Sequence, residues 1–323
     1  MYQVYALVSN FDSPTERLIF DGFTLRKVVE SNLETFRQLF KSTEVDTGNW
    51  IYGKEYQVLP PGPPNAPEGV GGIPVDTEDI LFLLRLYKVG DVSFYEQRIL
   101  RPDGTLFAQI PHRTMNDLNI RSAFTTEITL EECLLFMKFA DGLRASQSWR
   151  APWFSVARRF FLYGSGKEYV PQWDEFDRIV DYTTALEATL VPETEFSKNR
   201  CSLRAAKIVT DDLDKQEEVA AIVKKLYDVR SAIVHGSVLS ANQKEWLIDN
   251  CFNIELYVRR VLANGVQAIP PDEEARASFL STLYDVADTK RGDEAFNRFC
   301  AIRTDEVRQD TGRKISRRIT RNL

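Results

Sequence analysis

The chain has 323 residues, of which 43% are hydrophobic and 27% charged, the balance of a folded globular protein with room for about two domains. A net charge of −6 excludes a surface that attracts nucleic acid as a whole, so contact with a polyanion needs a local basic patch.

Met1–Val8 has no basic start and no long apolar core, which argues against a secretory signal. The longest apolar run, Ile80 to Leu84, is closed by Arg85 and is too short to span a bilayer. A cytoplasmic protein with no membrane partner is the expectation. Residues 2–8, 17–20, 56–59, 81–87 and 92–95 are rich in strand formers and are expected to be β-strands. Pro102-Asp103-Gly104 carries turn chemistry, and the proline-rich stretch 60–72 is expected to be a loop.

From Thr129, a candidate N-cap, the apolar period becomes helical. A second helix is expected over 154–163; Arg158 and Arg159, before Phe160 and Phe161, could touch RNA, and a solvated helix face is the preferred reading. Gly164-Ser165-Gly166-Lys167 lacks the spacing of a phosphate-binding loop and reads as a turn. Longer helices follow over 173–191, 195–210, 215–235 and 242–264. Gly236 and Gly265 stand where C-caps belong, and Pro270-Pro271-Asp272 restarts a helix. The basic tail 313–321 could contact a phosphate backbone, and a solvated or frayed terminal helix is the preferred reading. The fold class is therefore α+β. A β-rich domain (1–128) is followed by an all-α bundle (129–265) and a helical C-terminal extension (266–323).

Cys133, Cys201, Cys251 and Cys300 are too far apart in sequence for metal-ligand spacing, and His112 and His235 are the two histidines. Reduced core cysteines are expected, with no metal and no cofactor. His112 has no evident partner and reads as a surface or packing residue.

Two charges interrupt apolar helix faces. On 215–235, Val219, Ile222, Leu226, Val229 and Ile233 form one stripe, and Arg230 falls almost on it. On 173–191, Phe176, Ile179, Val180, Thr183 and Leu190 form another, with Glu187 in its middle. A charge so placed needs a partner. Glu187 can pair with Arg230 or with Arg204; alternatively Arg230 serves a bound anion or a subunit boundary. His235 ends its helix directly before Gly236, and a histidine suits proton transfer near neutral pH.

Arginine, four residues and histidine at a helix end resembles the catalytic motif of HEPN ribonucleases. The string from Leu226 to Gly236, with Ala185–Leu190 and Leu203–Ala206 before it, is similar to the Apea-like branch over about residues 150–265. The resemblance implies metal-independent RNA cleavage, in phage defence or a toxin-like system, with Arg230 and His235 catalytic. Ser231, Tyr227, Asp228 and Glu187 are the supporting candidates. Residues five apart on a helix diverge by about 140°, and the resemblance implies a homodimer in which two helix ends face each other. The rival expectation is a non-catalytic HEPN module for RNA binding or oligomerisation, in which Glu187 consumes Arg230. A small-ligand sensor is a third.

Overall fold

The computed structural model describes residues 1–20, 22–41, 45–57, 76–88, 90, 92–111, 126–166, 174–192 and 197–285. They form two compact units, Met1–Asp141 and Gly142–Leu323, the first built on an antiparallel sheet and the second helical. The expected loop at 60–72, His112 and the basic tail lie outside the described residues.

The first unit begins with β1 (Tyr2–Ser9), β2 (Phe11–Asp12), β3 (Arg17–Phe20), β4 (Phe23–Lys27), α1 (Glu30–Phe40) and β5 (Trp50–Tyr56). It continues with α2 (Asp76–Tyr87), β6 (Ser93–Leu100), β7 (Leu106–Pro111), β8 (Thr126–Glu127) and α3 (Leu130–Arg144). Six strands run in the order β3-β4-β5-β1-β6-β7, every pair antiparallel. β1 is central, with Ala6 opposite Tyr52 and Gln97. Alternation along β1 sorts its side chains onto two covered faces. Leu7 packs with Val28, Phe36, Phe40 and Ile51, while Val4, Ala6 and Val8 are buried on the other face. There an aromatic series runs from Phe94 through Tyr52, Phe23 and Phe20 to Phe136 of α3, which in turn meets Tyr87 of α2.

Three details differ from the sequence reading. Residues 81–87 are helical, not a strand. A short apolar run has no decisive period, and this one follows Thr77, Glu78 and Asp79, a favourable helix start. Buried on nearly every side, at Ile80, Phe82, Leu83, Leu84 and Leu86, it needs no polar face. Helix α1 was signalled by Leu33, Phe36 and Phe40 at helical spacing but goes unnoticed among stronger strand signals. The break between units falls after α3 has begun, because Phe136 and Phe139 pack against Tyr87. Thr129 does cap α3: its hydroxyl accepts from the Glu132 N–H, and the Glu132 carboxylate accepts from the Thr129 N–H.

The second unit contains a short 3₁₀ turn at Gln147–Arg150, then α4 (Pro152–Gly166), α5 (Asp174–Leu190) and α6 (Ser197–Val209). After these come α7 (Leu213–Val234), α8 (Ala241–Ala268) and α9 (Glu273–Asp285). Asp212 caps α7 through the N–H groups of Asp214 and Lys215, Ser240 and Gln243 form a capping box on α8, and Asp272 caps α9 at the Ala275 N–H. Among the described residues, no helix is long and apolar enough to cross a membrane. Cys133 and Cys201 are buried free thiols and Cys251 is a half-buried one.

Two glycines lie inside helices rather than beyond their ends. Gly265 is buried within α8, where a Cβ would stand 3.0 Å from the Thr189 methyl of α5. The helix runs on until Pro270 stops it. The Val266 carbonyl in its last turn accepts from the Ser146 hydroxyl, and just past its end the Ile269 and Pro270 carbonyls accept from the Ser148 hydroxyl and the Trp153 indole N–H. Gly164 belongs to the last turn of α4, not to a separate turn, and lies on the ring of buried Tyr182.

Gly164→Ala places a Cβ 2.7 Å from Tyr182 Cδ1, and overpacking of that kind costs about 1–3 kcal/mol. The helix-propensity gain of alanine over glycine is at most about 1 kcal/mol. The variant should therefore melt below the parent. Gly142→Ala, in α3 with open space around the new Cβ, should melt at or above it. The reverse order in thermal denaturation would contradict this packing.

Candidate functional site

α7 carries the residues singled out from the sequence, and its geometry separates them. Val219, Ile222, Leu226 and Val229 are buried along one face, and Ile233 is partly buried. The helix stops at His235, whose backbone has left the helical region (φ −86°, ψ 6°). Gly236 then takes φ 72°, which favours glycine. Its N–H donates to the Ile233 carbonyl at 3.0 Å, and the Ser237 N–H to Ala232 at 2.8 Å. This Schellman closure satisfies the last carbonyls with backbone alone. The His235 side chain is not needed for capping and is exposed.

Arg230 is partly buried. Its Nη2 lies 3.9 Å from Glu187 Oε2, with the two side chains 33% and 26% exposed. That distance is an ion pair without a hydrogen bond, and the Arg230 Nε is buried with no hydrogen-bond partner among the described residues. Glu187 is thus less buried than its place on an apolar face suggests. Of its two candidate partners the structure selects Arg230. Arg204 is fully committed elsewhere: Nε donates to the Leu280 carbonyl at 2.9 Å and Nη1 to Leu190 at 2.8 Å. It binds the end of α5 and the middle of α9 to α6.

The other supporting candidates divide. Tyr227 is buried, and its hydroxyl faces the Cys201 thiol and the Glu187 carboxylate without a well-formed hydrogen bond to either. Burial, then the charge of these neighbours, pushes the Tyr227 pKa upward. Burial pushes the Cys201 thiol up to about 12. Neither group ionises near neutral pH, so neither is a general base or a thiolate nucleophile there. Asp228 is exposed and pairs with Lys198 of α6, and Ser231 is exposed. Arg230 and His235 are left as the guanidinium and the exposed imidazole at this end of α7.

A second charged cluster was not recognised from the sequence. Glu255 of α8 is buried, bonded by Arg259 Nε at 3.1 Å and by Arg259 Nη2, with Arg178 Nη1 of α5 at 3.7 Å. Arg259 also lies over the Phe161 ring of α4, 5.9 Å from its centroid. The signal was present: Glu255 and Arg259 stand one turn apart inside a run of apolar residues. Burial alone would raise the Glu255 pKa, but the two arginines outweigh it and hold the carboxyl below the usual carboxylate range. Arg158, expected on a solvated face, is instead buried with its guanidinium 5.5 Å from the Trp149 ring. Among the described residues, no group of three or more His, Cys, Asp or Glu side chains could hold a metal ion. Compared with protein-family models, curated proteins and solved structures, the chain matches none.

The two carboxylates should respond differently to deletion. Glu187→Ala loses a partly exposed pair worth about 0–1 kcal/mol. Glu255→Ala strands two buried arginines and should cost about 3–5 kcal/mol. Because the Glu255 pKa is depressed in the folded state, its contribution is present above the unfolded value of about 4.3 and is lost as pH falls through the folded value. Urea titrations of the three proteins at neutral and acidic pH would check this. A Glu187 variant less stable than the Glu255 variant would be the contrary result.

Proposed function

We propose that this protein is a metal-independent endoribonuclease of the HEPN type, acting in phage defence or a toxin-like system. The observation that carries the reading is the state of Arg230. It is a partly buried guanidinium, loosely paired at 3.9 Å, with its Nε unsatisfied, on the helix that presents an exposed His235 at its end. An unsatisfied buried donor costs about 1–3 kcal/mol, and a phosphate oxygen is the kind of acceptor that would relieve it. His235 would move the proton of the ribose 2′-hydroxyl as its oxygen attacks the adjacent phosphorus. The leaving 5′-oxygen takes up a proton, and a 2′,3′-cyclic phosphate remains. Arg230 would stabilise the charge that builds on the phosphoryl oxygens.

One cleavage needs a proton removed and a proton delivered. Two copies of α7 around a two-fold axis would supply two His235 side chains, and this is the assembly we propose. The apolar side chains beside the motif support it, since Val234 is 52% and Val238 90% exposed. The second reading, an RNA-binding or oligomerisation module without catalysis, is favoured by the Glu187–Arg230 contact. It requires Glu187 to keep Arg230 when RNA is present.

His235→Ala and Arg230→Ala should each lower cleavage of cellular RNA by about 10²–10⁴-fold while the melting temperature stays within a few degrees of the parent. Cleavage should persist in EDTA, and the products should end in 2′,3′-cyclic phosphate. Activity per chain should fall on dilution through a monomer–dimer transition followed by light scattering. Parent-like cleavage by both variants would refute the assignment at this site.

A further inference from the structure

The outward face of α4 has an unusual composition. Arg159 and Phe160 stand three and four residues after Val156, and Tyr163 four and three residues after them, so the four side chains form one stripe along the helix. Val156 is 38% and Tyr163 54% exposed, Arg159 is exposed and Phe160 partly so. The opposite face, with Phe154, Ala157, Arg158 and Phe161, is buried. The stripe is therefore surplus to what the helix needs for packing.

Its side chains are already arranged as a stacking surface. The Arg159 guanidinium lies over the Phe160 ring, 5.2 Å from its centroid. Phe160 and Tyr163 meet edge to face, with centroids 6.1 Å apart and planes at 83°. Among the described residues, Arg159 has no ion pair. Residues 142–167 also form the longest stretch of the sequence without an aspartate or glutamate, in a chain of net charge −6. The same stretch holds four arginines and one lysine.

We propose that this face of α4 binds single-stranded RNA, with bases stacking on Tyr163 and Phe160 and Arg159 serving the phosphate backbone. The inference rests on the nuclease reading for its ligand and deepens it by assigning a binding surface remote in sequence from the Arg230–His235 motif. Apolar side chains alone would suit a protein partner. Aromatic rings interleaved with an unpaired arginine, in a segment free of acidic residues, are complementary to a polyanion whose unpaired bases present flat faces. A duplex keeps those faces stacked inside, so the preference is for single strands. Exposed aromatic side chains contribute to such binding without reading sequence, which fits a surface that holds RNA and leaves the choice of bond to the catalytic end.

The test uses the full chain carrying His235→Ala, so that RNA survives the measurement. Fluorescence anisotropy would follow a labelled single-stranded RNA of about 20 nucleotides and the corresponding duplex, longer than one stacking site needs. Tyr163→Ala should weaken single-strand binding about tenfold or more, and Tyr163→Phe should bind as the parent. Arg159→Gln should weaken it and flatten its dependence on salt. Melting curves should coincide, since both positions are exposed. Unchanged affinity in Tyr163→Ala and Arg159→Gln overturns the proposal and leaves the stripe to a protein partner. Equal affinity for the duplex overturns it as well. Cleavage is measured separately with His235 intact. Loss of binding in the α4 variants, with no cleavage by the intact chain, would retain this surface and sink the nuclease reading. Cleavage by the intact chain with α4 variants binding normally would do the opposite.

Discussion

Glu255 is a buried carboxylate on a helix that is itself buried on most sides from Ile254 to Val266, and the helical unit is arranged around keeping it paired. Charge in such a place is tolerated only with close counter-charges. One comes from the next turn of the same helix, Arg259, and the other, Arg178, from α5. Because Phe161 of α4 covers the Arg259 guanidinium, three helices meet at one ionic cluster. A slip of α5 against α8 by one turn would leave a buried charge uncompensated, so the cluster sets register as well as contact.

That register has a consequence for the candidate site. Glu187 lies two and a half turns beyond Arg178 on α5, and so points about 180° away from it. Fixing Arg178 on α8 therefore directs Glu187 to the opposite side, where it meets Arg230 of α7. The two contacts differ in kind. The first is a buried ion pair at 3.7 Å, set beside the hydrogen-bonded Arg259–Glu255 pair, and holds the fold. The second is longer, partly wet and leaves a donor unsatisfied, so Arg230 is oriented without being consumed. Arg204 strengthens the distinction: by serving two backbone carbonyls it removes itself as a competitor for Glu187.

Charge is also distributed unevenly along the helical unit. The acidic residues that give the chain its net charge are absent from the segment that forms α4. The end of α7 is closed by backbone bonds alone, so its last side chain is spared a capping role. Both features leave polar or aromatic groups exposed without a structural task, which is the condition under which they can serve a ligand.

Much of this was set by local sequence. The α+β order, the helices from α3 to α9, the Thr129 cap and the Gly236 closure follow from periodicity and from residues whose backbone preferences act over three or four neighbours. The stripe on α7 and the anomalous positions of Glu187 and Arg230 were legible for the same reason. Local pattern failed where burial was all-round. Residues 81–87 satisfy strand and helix preferences alike, and only the covering of every side made the helix stable. Gly265 looks like a helix end, and it is the approach of Thr189 from α5 that explains a glycine inside α8. Which arginine pairs with Glu187, the burial of Arg158 beside Trp149, and the ionic cluster at Glu255 were decided by tertiary structure alone. Each depends on side chains brought together from different helices, and helix rotation, which sequence spacing fixes within one element, is fixed between elements only by packing.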